Sequence, residues 1–131
     1  MKKALAASLL VLAGACSMTQ DRDAVYFVEP SDGATVPQDF RVVMDVRGKT
    51  IAPAGDMSAN TGHHHLLIDA DPVREGDVIP VDASHMHFGK GQTETMVKLA
   101  PGSHTLQLQL ADGAHRSFGP AMSSTIHVVV K

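Results

Sequence analysis

Along this chain, apolar and polar positions alternate in short runs, and glycine, proline and aspartate separate the runs. Val25–Val28 opens the series. In Arg41–Val46, the residues Val42, Met44 and Val46 share one face, and His64–Ala70 forms the next run. Thr95, Val97 and Leu99 line one face of a later run. In "HTLQLQLADG" Leu106, Leu108 and Leu110 do the same, with Thr105, Gln107 and Gln109 opposite. Ile126, Val128 and Val130 close the series. A period of two is that of a β-strand, whose successive side chains point to opposite faces. None of these runs carries the 3.6-residue period of an amphipathic helix. "EPSDG", "DADP" and "APGS" supply turn chemistry between them. The pattern predicts an all-β fold, an immunoglobulin-like antiparallel two-sheet β-sandwich over residues 24–131, each sheet with one packed and one wet face. Two long connections, Gly48–Gly62 and Asp71–Ser84, interrupt the spacing, and connections of that length in a compact domain are usually functional or mobile.

The first residues change the picture of where the domain begins. Lys2 and Lys3 precede a short apolar run, Ala4–Leu12, followed by the small residues Ala13-Gly14-Ala15. This is the layout of a cleaved secretory signal peptide over residues 1–15, and the run is too short to span a bilayer. The single cysteine, Cys16, follows at once, and "LAGAC" resembles a bacterial lipobox, in which the thiol is acylated. An unpaired cysteine in an oxidising compartment fits that use. Residues 16–23 read as a polar tether. By resemblance to known lipoproteins, Ser17 after the cysteine implies sorting to the outer membrane. The expectation is a lipid-anchored protein on the periplasmic side of the bacterial cell envelope, touching the membrane through its N-terminal lipid only. The chain carries a formal charge of −3, and its leader holds basic residues but no acidic ones. A domain this acidic does not suit nucleic acid, which requires a basic face.

The histidines carry the chemistry. Eight occur in 131 residues, and five of them fall in "TGHHHLLID" and "SHMHFGKGQTE". On a strand, His63 and His65 share one face with Asp69, and His64 shares the other with Leu66 and Ile68. His85 and His87 likewise share a face, opposite Met86 and Phe88. A His-x-His spacing puts both rings on one side of a strand, which it cannot do on a helix. Two such segments lying side by side could surround one ion at about 2 Å from each nitrogen. The candidate ligands are His63, His64, His65, His85 and His87, with His115 in the loop "DGAHRSFGP" as a further one. Whether His63 and His65, or His64, would face the ion stays open at this point. Imidazole suits copper and zinc, and methionine sulfur in the loops (Met57, Met122) would bias the choice towards copper. Ligand imidazoles must be neutral, so affinity should weaken as pH falls through about 6.5. Asp69 could orient an imidazole by accepting its second N–H. In "FGKGQT" the phosphate-loop spacing is missing, so Gly89, Lys90 and Gly91 read as a tight connection in which glycine permits positive φ. His104 and His127 read as a strand-end and a solvated residue.

Taken together, "VYFVEPSDGATVP", "TGHHHLLID", "HFGKGQTE" and "PGSHTLQLQLADGAH" resemble one bacterial family, domain of unknown function 4399, made of small exported proteins and lipoproteins. The resemblance runs from about Val25 to Lys131. The positions matching its motifs are His63, His64, His65, His85, His87, Gly89, Lys90, Gly91, His104 and His115. It implies an exported β-sandwich and assigns no activity. The residues themselves lead to a copper-binding protein, with zinc second, that sequesters or hands on its ion. Two alternatives are an envelope module that binds a protein partner without metal, and a copper-dependent redox enzyme by fold-level analogy with copper–zinc superoxide dismutase.

Overall fold

In a computed structural model, Gly14 and residues 22–131 are described. The expected leader, the lipobox Cys16 and most of the tether lie outside the described residues. Nine strands follow: β1 (Ala24–Glu29), β2 (Ala34–Val36), β3 (Asp39–Arg47), β4 (Thr50–Ile51), β5 (Thr61–Ile68), β6 (His85–His87), β7 (Glu94–Lys98), β8 (Gly102–Ala111) and β9 (Ser123–Val130). A 3-10 turn, Pro120–Met122, precedes β9. The strands build two sheets, one in the order β1-β3-β7 and a larger one in the order β2-β9-β8-β5-β4, with β6 also pairing with β5. The all-β, two-sheet sandwich expected from the alternation is thus the fold. Its pairing is not wholly antiparallel, because β2 runs parallel to β9 and β4 parallel to β5.

The period-two pattern explains the core. Val42 and Met44 of β3 and Val97 of β7 meet Leu66 of β5, Leu106 and Leu108 of β8, and Val128 of β9 in one buried cluster. Burial of one such side chain contributes on the order of 1.5–3 kcal/mol, which makes this inter-sheet layer the main source of stability.

The second face of the large sheet departs from the expected wet surface. His63, His65 and Leu67 of β5 and Gln107 and Gln109 of β8 point away from the core cluster, and all are buried. Loops cover them. Residues 76–79 are stitched to 115–117 by Gly76 N–H to Ser117 O (2.8 Å), Ser117 N–H to Asp77 O (2.9 Å) and Ile79 N–H to His115 O (2.9 Å). Ile79 itself is buried beneath this flap. The Gln109 amide donates to Gly119 O at 3.1 Å and Leu110 O at 3.0 Å, so its burial leaves no donor stranded. One of the two long connections noted in the sequence, Asp71–Ser84, is therefore stitched to the segment that carries His115.

Candidate metal centre

Strand β5 is central to the site. β8 lies along one edge, and β4 and β6 share the other. Cross-strand partners stand on the same face of a sheet. His65 pairs with His87 of β6 and Leu67 with His85, so β6 sets His87 directly beside His65 and His85 one step further along. A fourth imidazole, His115, enters from the turn Asp112–Arg116. That turn is closed by Asp112 Oδ1, which accepts N–H from Ala114 at 2.8 Å and from Arg116 at 3.0 Å. His115 holds a left-handed φ of 64° there.

The result is a group of four: one nitrogen from each of His63, His65, His87 and His115 lies within 4.8 Å of the others. His63 Nε2 is 3.2 Å from both His87 Nε2 and His115 Nδ1. Metal–nitrogen bonds of about 2.0 Å in a tetrahedron imply nitrogen–nitrogen edges of about 3.3 Å. Two edges therefore already stand at the length a tetrahedral ion needs. These four residues lie close enough to hold a metal ion. His63 and His65 form a buried floor, and His87 and His115 form a half-buried rim.

The polar bookkeeping points the same way. His63 Nδ1 and both ring nitrogens of His65 are buried with no hydrogen-bond partner. His63 Nε2 faces two other imidazole nitrogens, and a single N–H cannot serve both. A buried polar atom without a partner costs about 1–3 kcal/mol. The group is thus poorly satisfied by protein alone. A cation would take His63 Nε2 and one of the two unpartnered His65 nitrogens, one nitrogen from each ring.

Burial favours the neutral form of His63, His65 and His87. Burial, reinforced by the neighbouring rings of His87 and His115, pushes His63 down to about 4. Burial and the rings of His63, His87 and His115 push His65 down to about 3. His87 is lowered as well, by burial first and His115 second. Protons thus compete for the two floor nitrogens well below the pH of about 6.5 that an ordinary histidine implies.

Two sequence candidates stand outside the group. His64 points into the inter-sheet core on the face of Leu66, because strand neighbours alternate, so it cannot reach the ion its neighbours would hold. It is fully buried with neither nitrogen partnered, and burial pushes it down to about 4. His64→Leu should therefore raise the stability of the protein by about 1–3 kcal/mol and leave metal affinity unchanged. Paired urea melts and metal titrations check this. His85 shares the face of His87 but sits opposite Leu67, and its Nδ1 is 2.7 Å from Asp82 Oδ1.

The remaining motif residues have other work. Asp69 does orient an imidazole, but that of His104: His104 Nδ1 lies 2.6 Å from Asp69 Oδ2, and its Nε2 lies 2.8 Å from Ala100 O. Both acceptors are oxygen, so making both bonds requires the imidazolium form, and the Asp69 contact accordingly raises His104 above its ordinary value. Asp69 Oδ1 also accepts the Thr105 N–H at 2.8 Å, which clasps the end of β5 to β8. His127 is exposed on β9. Met57 is exposed, whereas Met122 is buried in the 3-10 turn. Lys90 is exposed beside Gly91, which has the expected positive φ of 78°. Gly89 is needed for a different reason than expected. Its φ is ordinary, but a side chain there would overlap the His87 ring. Gly89→Ala should fold and yet displace that ring, lowering metal affinity by roughly tenfold to a hundredfold; isothermal titration of the variant reads this directly. Asp112, which shapes the His115 turn, was not singled out in the sequence. Its signal is the Asx-turn spacing of "DGAHR", an aspartate two and four residues before the N–H groups it holds.

No curated protein and no solved structure matches this chain. A family model described as "Domain of unknown function (DUF4399)" matches residues 42–131, a span that includes all four clustered histidines. With most of its length matched, the chain belongs to the DUF4399 family.

Proposed function

We propose that this protein is an exported, lipid-anchored metal-binding protein of the bacterial cell envelope that sequesters or hands on copper. One observation carries the metal reading: four imidazoles from three separate segments converge on one point, and neither ring nitrogen of the buried His65 has a protein partner. The set contains no thiolate and no carboxylate. Imidazole suits copper and zinc alike, and at a given nitrogen site copper(II) outranks zinc in affinity, so copper is favoured. The "LAGAC" sequence around Cys16 supports export and acylation.

Titration of the purified full chain with copper(I), copper(II) and zinc tests the reading. The expected result is one ion per chain, bound more tightly than micromolar, with copper displacing zinc. Failure of all three to bind below micromolar ends the metal reading, and preference for zinc ends the copper assignment. Labelling of the chain by a fatty acid in cells, lost in Cys16→Ser, tests the anchor.

A further inference from the structure

The four ligands are not held alike. His63 and His65 sit on β5, a strand paired along both edges, and are fully buried. His87 ends β6 and is locked in register opposite His65. Shifting the backbone at any of these three breaks ladder hydrogen bonds. His115 alone lies outside the strands, in a half-buried turn. Its φ of 64° is one that a residue bearing a side chain adopts at a cost, and glycine adopts freely. The turn is anchored through its backbone. Asp112 Oδ1 holds the N–H groups of Ala114 and Arg116, Gly55 N–H donates to Gly113 O at 2.8 Å, and Ile79 N–H donates to His115 O at 2.9 Å. The backbone is fixed, and the ring's hydrogen-bond-distance contact is within the cluster, Nδ1 at 3.2 Å from His63 Nε2, so rotation of the ring need not disturb the turn.

From this asymmetry we infer that His115 is the exchangeable ligand: the ion enters and leaves at the position His115 occupies, while His63, His65 and His87 retain it. An incoming nitrogen or sulfur donor, from a small chelator or from an acceptor protein, takes the place of the His115 ring. The ion then passes across without its ever being free in water. Strand-borne ligands provide retention, and the turn-borne ligand provides a way out. This rests on the metal-binding reading above and adds an order in which the bonds break.

The test uses the full chain loaded with copper(I), and follows transfer to a chromogenic copper(I) chelator by stopped flow. His115→Gly accepts the left-handed backbone without strain, and His115→Asn serves as a second variant that also tolerates it. Both should melt within a few degrees of the parent when metal-free. Each should still bind one ion, with affinity lower by roughly tenfold and transfer faster by roughly tenfold or more. Free imidazole, at a concentration that leaves parental transfer unchanged, should occupy the vacated position in His115→Gly and return its transfer rate towards the parental one. It should do nothing for a His65 variant. Three results overturn the inference while leaving the metal reading intact: variants that release copper at the parental rate, variants that lose binding as completely as a His65 variant, and a His115→Gly site that imidazole does not restore. A parent chain that binds no copper removes both.

Discussion

His65→Leu should abolish tight metal binding and, at the same time, make the metal-free protein more stable. Apparent binding free energies for four-ligand structural zinc sites run to about 10–16 kcal/mol, or about 2.5–4 kcal/mol per ligand, so losing one of the two floor imidazoles should weaken binding by roughly a hundredfold to a thousandfold. The stability change has the opposite sign. His65 is fully buried, and neither of its ring nitrogens has a partner. Leucine of similar size fills the same space between the sheet and the covering loops without stranding a polar atom. The gain should be about 1–3 kcal/mol, read as a higher urea midpoint for the metal-free variant. A site maintained at the expense of the fold is what a functional group looks like. If His65→Leu is instead less stable, the ring has a structural role, and the case for a metal-built site weakens.

Acid should unfold the metal-free protein far more readily than its single domain and its carboxylates alone would lead one to expect. His63 and His64 are pushed down to about 4 and His65 to about 3, in each case chiefly by burial. In the unfolded chain they titrate near 6.5. Between those limits the unfolded chain binds more protons than the folded one, so stability is full above pH 6.5 and is lost as pH falls towards 4. Each group contributes a slope of about 1.4 kcal/mol per pH unit. Three groups together remove on the order of 5–10 kcal/mol, comparable with the whole stability of a typical domain. Urea midpoints measured from pH 7.5 to pH 4 should fall steeply below 6.5, and His64→Leu should remove about a third of the slope. A midpoint that stays flat down to pH 5 would mean these imidazoles are not buried in solution.

Much of this site was legible in the sequence, for a physical reason. Period-two alternation is read off a single segment, so the strands of His64–Ala70 and Leu106–Leu110 and the opposite faces of His63/His65 and His64 needed no tertiary knowledge. The choice between those faces did. Both sides of β5 are buried, one by the second sheet and one by loops, so hydrophobicity could not say which side held the site. The covering of Gln107 and Gln109 was hidden for the same reason: polar residues opposite leucines look wet until distant segments fold over them, as Gly119 and Met122 do over Gln109. The separation of His85 from His87 depended on register. Sharing a face is a local property, whereas standing opposite His65 instead of Leu67 is set by the pairing of β6 with β5. Gly89 was recognised as necessary, but its reason is the His87 ring and not backbone conformation.

The parallel clasp between β2 and β9 has a consequence for biogenesis. β9 lies between β2 and β8, and Asp32 Oδ1 takes the His127 N–H across a separation of 95 residues. β2 sits at the edge of the larger sheet with β9 as its partner there, so this early strand cannot be seated until synthesis has passed position 130.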